Sequence, residues 1–153
     1  MMKYFLNVSA VFALLLTSAG LSAAEAYDPE FVELAPFMSN LAKLTHKLSL
    51  SVGYNNPELA DFYLYESLEL LEEIKETVPE YRGLPIAMLI DRLVTPNYNS
   101  LQSAIADADH EKMTNELNKL IDSCNQCHQT TQHGFIKITP RTDFNPFNQD
   151  FRP

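Results

Sequence analysis

Apolar residues at 34, 37, 38, 41, 44, 48 and 52 recur every three or four positions, the spacing that lines one side of a helix. Asp28-Pro29-Glu30 ahead of them has the form of a helix start: a capping side chain, a proline at the first position and an acid in the first turn. A first helix is therefore expected over 30–52. Gly53-Tyr54-Asn55-Asn56-Pro57 closes it and opens a second, over 57–77, with Asn56 as its cap. Ala60, Leu64, Leu68, Leu71, Ile74 and Val78 form the buried face of that second helix, and Glu66, Glu69, Glu72, Glu73 and Glu76 a solvated one.

A linker from Pro79 to Pro85, containing Gly83, leads to a short apolar helix over 86–94. Thr95-Pro96 then restarts the chain as a cap and a first-position proline, and a helix follows to about Asp107 with Tyr98, Leu101 and Ile105 inward. Asp109 caps the last long helix, whose stripe is Met113, Leu117, Leu120, Ile121, Cys124 and His128, and Gly134 is expected to stop it. Phe135-Ile136-Lys137-Ile138 is the one stretch with strand character, and Pro140 and Pro146 follow it closely. These elements predict an all-α protein: an antiparallel four-helix bundle over 27–134 with an extended C-terminal tail over 135–153. Met88 and Met113 are assigned to its core.

The first 26 residues stand apart. Lys3 precedes a mostly apolar run from Tyr4 to Leu16, and small residues follow. Ser22-Ala23-Ala24 and Ala24-Glu25-Ala26 both suit signal cleavage, so the cut would fall after Ala24 or Ala26. The apolar run is short of the roughly 20 residues a membrane span needs, which disfavours an uncleaved anchor. No other stretch is apolar enough to span a bilayer, so an exported, periplasmic chain with no span after cleavage is expected.

The net charge is −9 over 153 residues, and cleavage after Ala26 removes Lys3 and Glu25, one charge of each sign, leaving it at −9. Such a balance repels nucleic acid and anionic lipid, and steers the protein toward a partner with a basic docking patch.

The chemistry sits in Cys124-Asn125-Gln126-Cys127-His128, a C-x-x-C-H motif holding both cysteines of the chain. It is the attachment signature of a covalent haem c. Each thiol adds across one porphyrin vinyl group, and cysteines three apart on a helix lie on one side, within reach of neighbouring vinyls. His128 follows directly and would be the proximal iron ligand. Such attachment takes place outside the cytoplasm, in keeping with an export signal. Three rivals use the same residues. A redox dithiol prefers a helix N-terminus after a strand. A zinc site needs a fourth ligand, for which His133 or His110 would have to serve. A plain disulfide would leave His128 incidental.

With the motif near the end of its last helix, the layout resembles the cytochrome c′ (class II cytochrome c) superfamily. More narrowly, it resembles small secreted monohaem cytochromes that share His46-Lys47-Leu48, Pro57-Glu58-Leu59-Ala60-Asp61-Phe62-Tyr63, Leu84-Pro85-Ile86 and Thr95-Pro96. They also share Cys124–Gln129, Gly134-Phe135-Ile136 and Asn148-Gln149-Asp150-Phe151. The resemblance spans most of the chain after the signal. It implies one covalent haem on Cys124 and Cys127, His128 as proximal ligand, and a distal face built by the first helix. Dimerisation is common in that superfamily, so a homodimer is compatible with it. The tail after the motif departs from cytochrome c′, which ends soon after its haem site.

The sixth iron position decides between functions. Met38, on the buried stripe of the first helix, and His46, on the same helix, are the candidate distal ligands. A filled position suits electron transfer to a redox partner, with no conventional substrate and no enzymatic role. An open one, under an apolar wall of Leu41, Leu44 and Leu48, suits binding of nitric oxide or another diatomic gas. His133, Lys137 and Arg141 are candidate partners for haem propionates, and Phe135, Ile136 and Ile138 a candidate cover for the haem edge.

Overall fold

The computed structural model describes residues 32–153; the expected signal peptide and the Asp28-Pro29-Glu30 start lie outside that range. The described chain is all-α, and no strand occurs among the described residues. The elements are α1 (Leu34–Gly53), α2 (Pro57–Thr77), α3 (Ile86–Leu89), a π-helical turn (Ile90–Val94), α4 (Thr95–Ala106) and α5 (His110–Thr130). Helix α1 packs on α2 and α5, and α4 packs on α5 and α2. None of the described helices is long and apolar enough to cross a membrane.

Helix α1 begins at Leu34 after extended Glu33, later than the expected Glu30. Pro36 explains the delay. In a helix starting at 34 it falls in the first turn, where backbone N–H groups have no helical partner; in one starting at 30 it would break the ladder. The helix ends in a left-handed Asn55, φ 55°, with Asn55 N–H on the Val52 carbonyl and Asn56 N–H on that of Ser51.

Helix α2 has the expected bounds, and the Asn56 side chain accepts from Leu59 N–H at 3.1 Å. The five glutamates of its outer face are exposed. Tyr63, Ser67 and Leu70 are buried beside the expected stripe, which widens the face that packs inward. The linker beyond α2 turns tightly through Arg82 and Gly83, φ 52° and 78°, joined by reciprocal Tyr81–Leu84 backbone bonds of 3.0 Å.

Thr95-Pro96 does not restart the chain. Thr95 is helical, and its N–H reaches back five residues to the Ile90 carbonyl. The wider π turn carries the helix past Pro96, which has no N–H to give, and Asn97 Nδ2 donates to the Leu93 carbonyl at 3.0 Å. Ile86 and Ile90, four apart, point inward and are buried, so Met88 falls on the opposite side, 42% exposed and outside the core. Met113 is fully buried.

Helix α5 is capped by the Asp109 carboxylate, which accepts from Lys112 N–H. It stops at Thr130, before Gly134. Gln132 takes the left-handed conformation, φ 63°, while Gln132 and His133 N–H bind the carbonyls of Gln129 and His128.

The tail is irregular and docked. Phe151 is buried among Tyr63 and Phe147, Asn56 Nδ2 donates to the carbonyls of Phe151 and Arg152, and Tyr63 Oη donates to Gln149. A Cβ on Gly53 would come within 2.8 Å of the Thr142 side chain, so the tail crosses α1 where only glycine leaves room. The last turns of α1 are consequently buried on all sides from Leu48 to Val52. Ser49 and Ser51 satisfy their hydroxyls on the carbonyls of Thr45 and Lys47, one turn back.

Candidate functional site

The motif occupies the final turns of α5, a helix fixed by its packing on α4 and α1. Cys124 and Cys127 are half-buried, pack against the apolar core, and are both unpaired. Burial pushes the Cys124 thiol up to about 12, reinforced by Cys127, and burial also raises Cys127. A thiol raised in this way is the opposite of the acidic one that dithiol exchange uses. Among the described residues no three His, Cys, Asp or Glu side chains gather as a metal-holding group. His110 is exposed at the start of α5, and His133 Nδ1 donates to the Thr131 carbonyl at 2.7 Å.

His128, half-buried, lies 2.8 Å through Nδ1 from the Ile136 carbonyl. A carbonyl can only accept, so Nδ1 carries the proton and Nε2 of the neutral ring keeps its lone pair. The same argument gives the other tautomer to His46, whose Nε2 lies 3.2 Å from the Phe144 carbonyl. Phe147 sits edge-on to the His46 ring, centroids 5.3 Å apart. His46 is thus engaged by the tail. Met38 is half-buried on α1, about 12 Å along the axis from His46 for eight residues of helix. Of the two candidate distal ligands, Met38 therefore lies near the start of α1 and His46 just past its middle.

Behind Cys124 lies a side chain that the sequence flagged only as core. Tyr98 on α4 is wholly buried, and its hydroxyl has no hydrogen-bond partner. Burial, then the neighbouring Cys124, drives its pKa up, while the adjacent Ser67 and Thr45 hydroxyls oppose that rise. Those two hydroxyls sit beside Tyr98 without reaching bonding geometry. Each already donates along its own helix, Ser67 to Tyr63 O at 2.7 Å and Thr45 to Leu41 O at 2.8 Å. Polar residues from α1, α2 and α4 thus converge near the first motif cysteine. Buried Thr and Ser on helical stripes are the sequence signal for this.

Of the remaining candidates, Lys137 is exposed, and Arg141 pairs with Asp143 at 3.1 Å, which holds the Asp143 carboxyl below its usual range. Phe135 and Ile136 are exposed, while Ile138 packs against the core. No protein-family model, curated protein or solved structure matches the chain.

Proposed function

We propose that the protein is an exported, periplasmic monohaem c-type cytochrome that carries single electrons, of the cytochrome c′-like kind. The observation that carries this reading is the C-x-x-C-H motif on the last turns of α5. Its thiols are unpaired, and the His128 proton is held on Nδ1 by Ile136 O. These residues fit haem c. Cys124 and Cys127 would each form a thioether, the S–H adding across a vinyl so that sulfur bonds one carbon and hydrogen the other. His128 would offer Nε2 to the iron. The bound group would supply a reversible one-electron couple.

The packing of α1 on α2, α4 on α5, and α1 on α5 supports an antiparallel four-helix bundle as the scaffold. Within it the chain's own residues hold the ligand ring, keep water from the cysteine side and supply an acidic exterior. The exposed glutamates of α2, of which Glu72 is bridged by Lys75, favour a redox partner with a basic patch. The signal over 1–26 supports export.

One observation favours a second reading. His46 Nε2–H is committed to the Phe144 carbonyl. If that contact also holds the ring away from the iron, and Met38 does not reach it, the sixth position is open and the protein binds a diatomic gas. Absorption spectra of the oxidised and reduced mature protein, made in a host with haem-attachment machinery, test both. Sharp low-spin bands unchanged by carbon monoxide support electron transfer; high-spin bands with rapid carbon monoxide binding support the gas reading. A colourless protein would sink both.

A further inference from the structure

Asn125, the first variable residue of the motif, is half-buried and turned toward the tail. Its carboxamide spends both functional ends on one residue. Nδ2 donates to the Ile138 carbonyl at 2.9 Å, and Ile138 N–H donates to Oδ1 at 2.8 Å. This pair of bonds does for Ile138 what a neighbouring strand would.

Two residues earlier, Ile136 N–H donates to the His133 carbonyl at 2.8 Å, and the Ile136 carbonyl receives the His128 Nδ1 proton at 2.8 Å. The segment from 128 to 138 is therefore a closed loop. Its near end is held by the helix stop at Gln132 and its far end by Asn125.

We infer that Asn125 is a positioning residue for His128: by clamping Ile138 it holds the Ile136 carbonyl where it fixes the tautomer and rotation of the imidazole. The inference rests on the haem reading above. A ligating histidine whose second nitrogen donates to a fixed carbonyl is oriented and made a stronger donor to iron. Only a planar group with one donor and one acceptor satisfies both Ile138 backbone groups. Aspartate keeps the acceptor alone, and alanine keeps neither.

The test uses the mature haem-loaded protein and the variants Asn125→Ala and Asn125→Asp, each checked for unchanged helix content by circular dichroism. Two quantities are read: hydrogen exchange over 135–143 and the reduction potential. Asn125→Ala should speed exchange at the Ile138 amide about tenfold and raise the potential, because a less firmly held imidazole donates less to the ferric iron. Asn125→Asp should fall between alanine and wild type in both. Unchanged exchange overturns the clamp. Faster exchange with an unmoved potential overturns the positioning role and leaves Asn125 a structural tie. A colourless wild type would sink the cytochrome reading instead, so the two failures are told apart.

Discussion

Two phenylalanines of one tail should behave in opposite ways. Phe151 is 1% exposed and sits between Tyr63 and Phe147, whereas Phe135 is 80% exposed. Truncating a buried phenylalanine to alanine costs 3–5 kcal/mol. An irregular segment can relax into part of the space, so the lower figure applies, about 3 kcal/mol. For a domain of this size each kcal/mol moves the midpoint by about 4 °C, giving a fall of about 12 °C. Phe135→Ala should stay within about 2 °C, since an exposed side chain contributes at most roughly 0.5 kcal/mol. The assay is thermal unfolding of wild type and both variants by circular dichroism at 222 nm, with a reversibility check. The carbonyls of Phe151 and Arg152 are held by Asn56, so Asn56→Ala should lower the midpoint in the same direction. A fall of less than about 4 °C for Phe151→Ala would show that the tail is not part of the cooperative core. Equal effects from the two phenylalanines would refute the burial argument outright.

Three more outcomes are expected. Tyr98→Phe removes a buried hydroxyl with no partner and should stabilise the protein by about 1 kcal/mol or more; a lowered midpoint would mean that the hydroxyl has a partner in solution. In chain made without haem-attachment machinery, Cys124 should react with a thiol reagent about a thousandfold more slowly at neutral pH than an ordinary thiol of pKa about 8.5. Because burial raises that pKa to about 12, the rate should climb tenfold per pH unit well beyond pH 9, and a plateau near pH 9 would contradict the burial. In the haem-loaded protein, His46→Ala should leave the low-spin spectrum intact if the contact with Phe144 keeps the ring away from the iron; conversion to high spin would show that His46 ligates it.

Much of the helical plan is legible in the sequence, because it is written in local chemistry. Asn56 and Asp109 are capping side chains followed by helical stripes, and both cap as expected. What escapes is whatever distant segments decide. Ser49 and Ser51 lie outside the apolar stripe of α1, yet both are buried. Pro96 reads as a restart because a proline cannot donate, but one π turn absorbs the missing bond. Met88 reads as core until that turn sets the face of α3. Pro36 is the local signal for the start of α1. At the candidate site, Cys124, Cys127 and His128 are conspicuous by spacing alone. The His128 bond to the Ile136 carbonyl spans eight residues and the Asn125 bonds to Ile138 thirteen, and no periodicity announces either.

The central claim is a single haem bonded to Cys124 and Cys127. Its most direct test is the intact mass of the mature protein under denaturing conditions, beside the Cys124→Ala/Cys127→Ala double variant. The wild type should carry the added mass of one haem, retained after unfolding and acid extraction, and the double variant should not. A wild type with the bare chain mass, or a haem lost on unfolding, would contradict the claim.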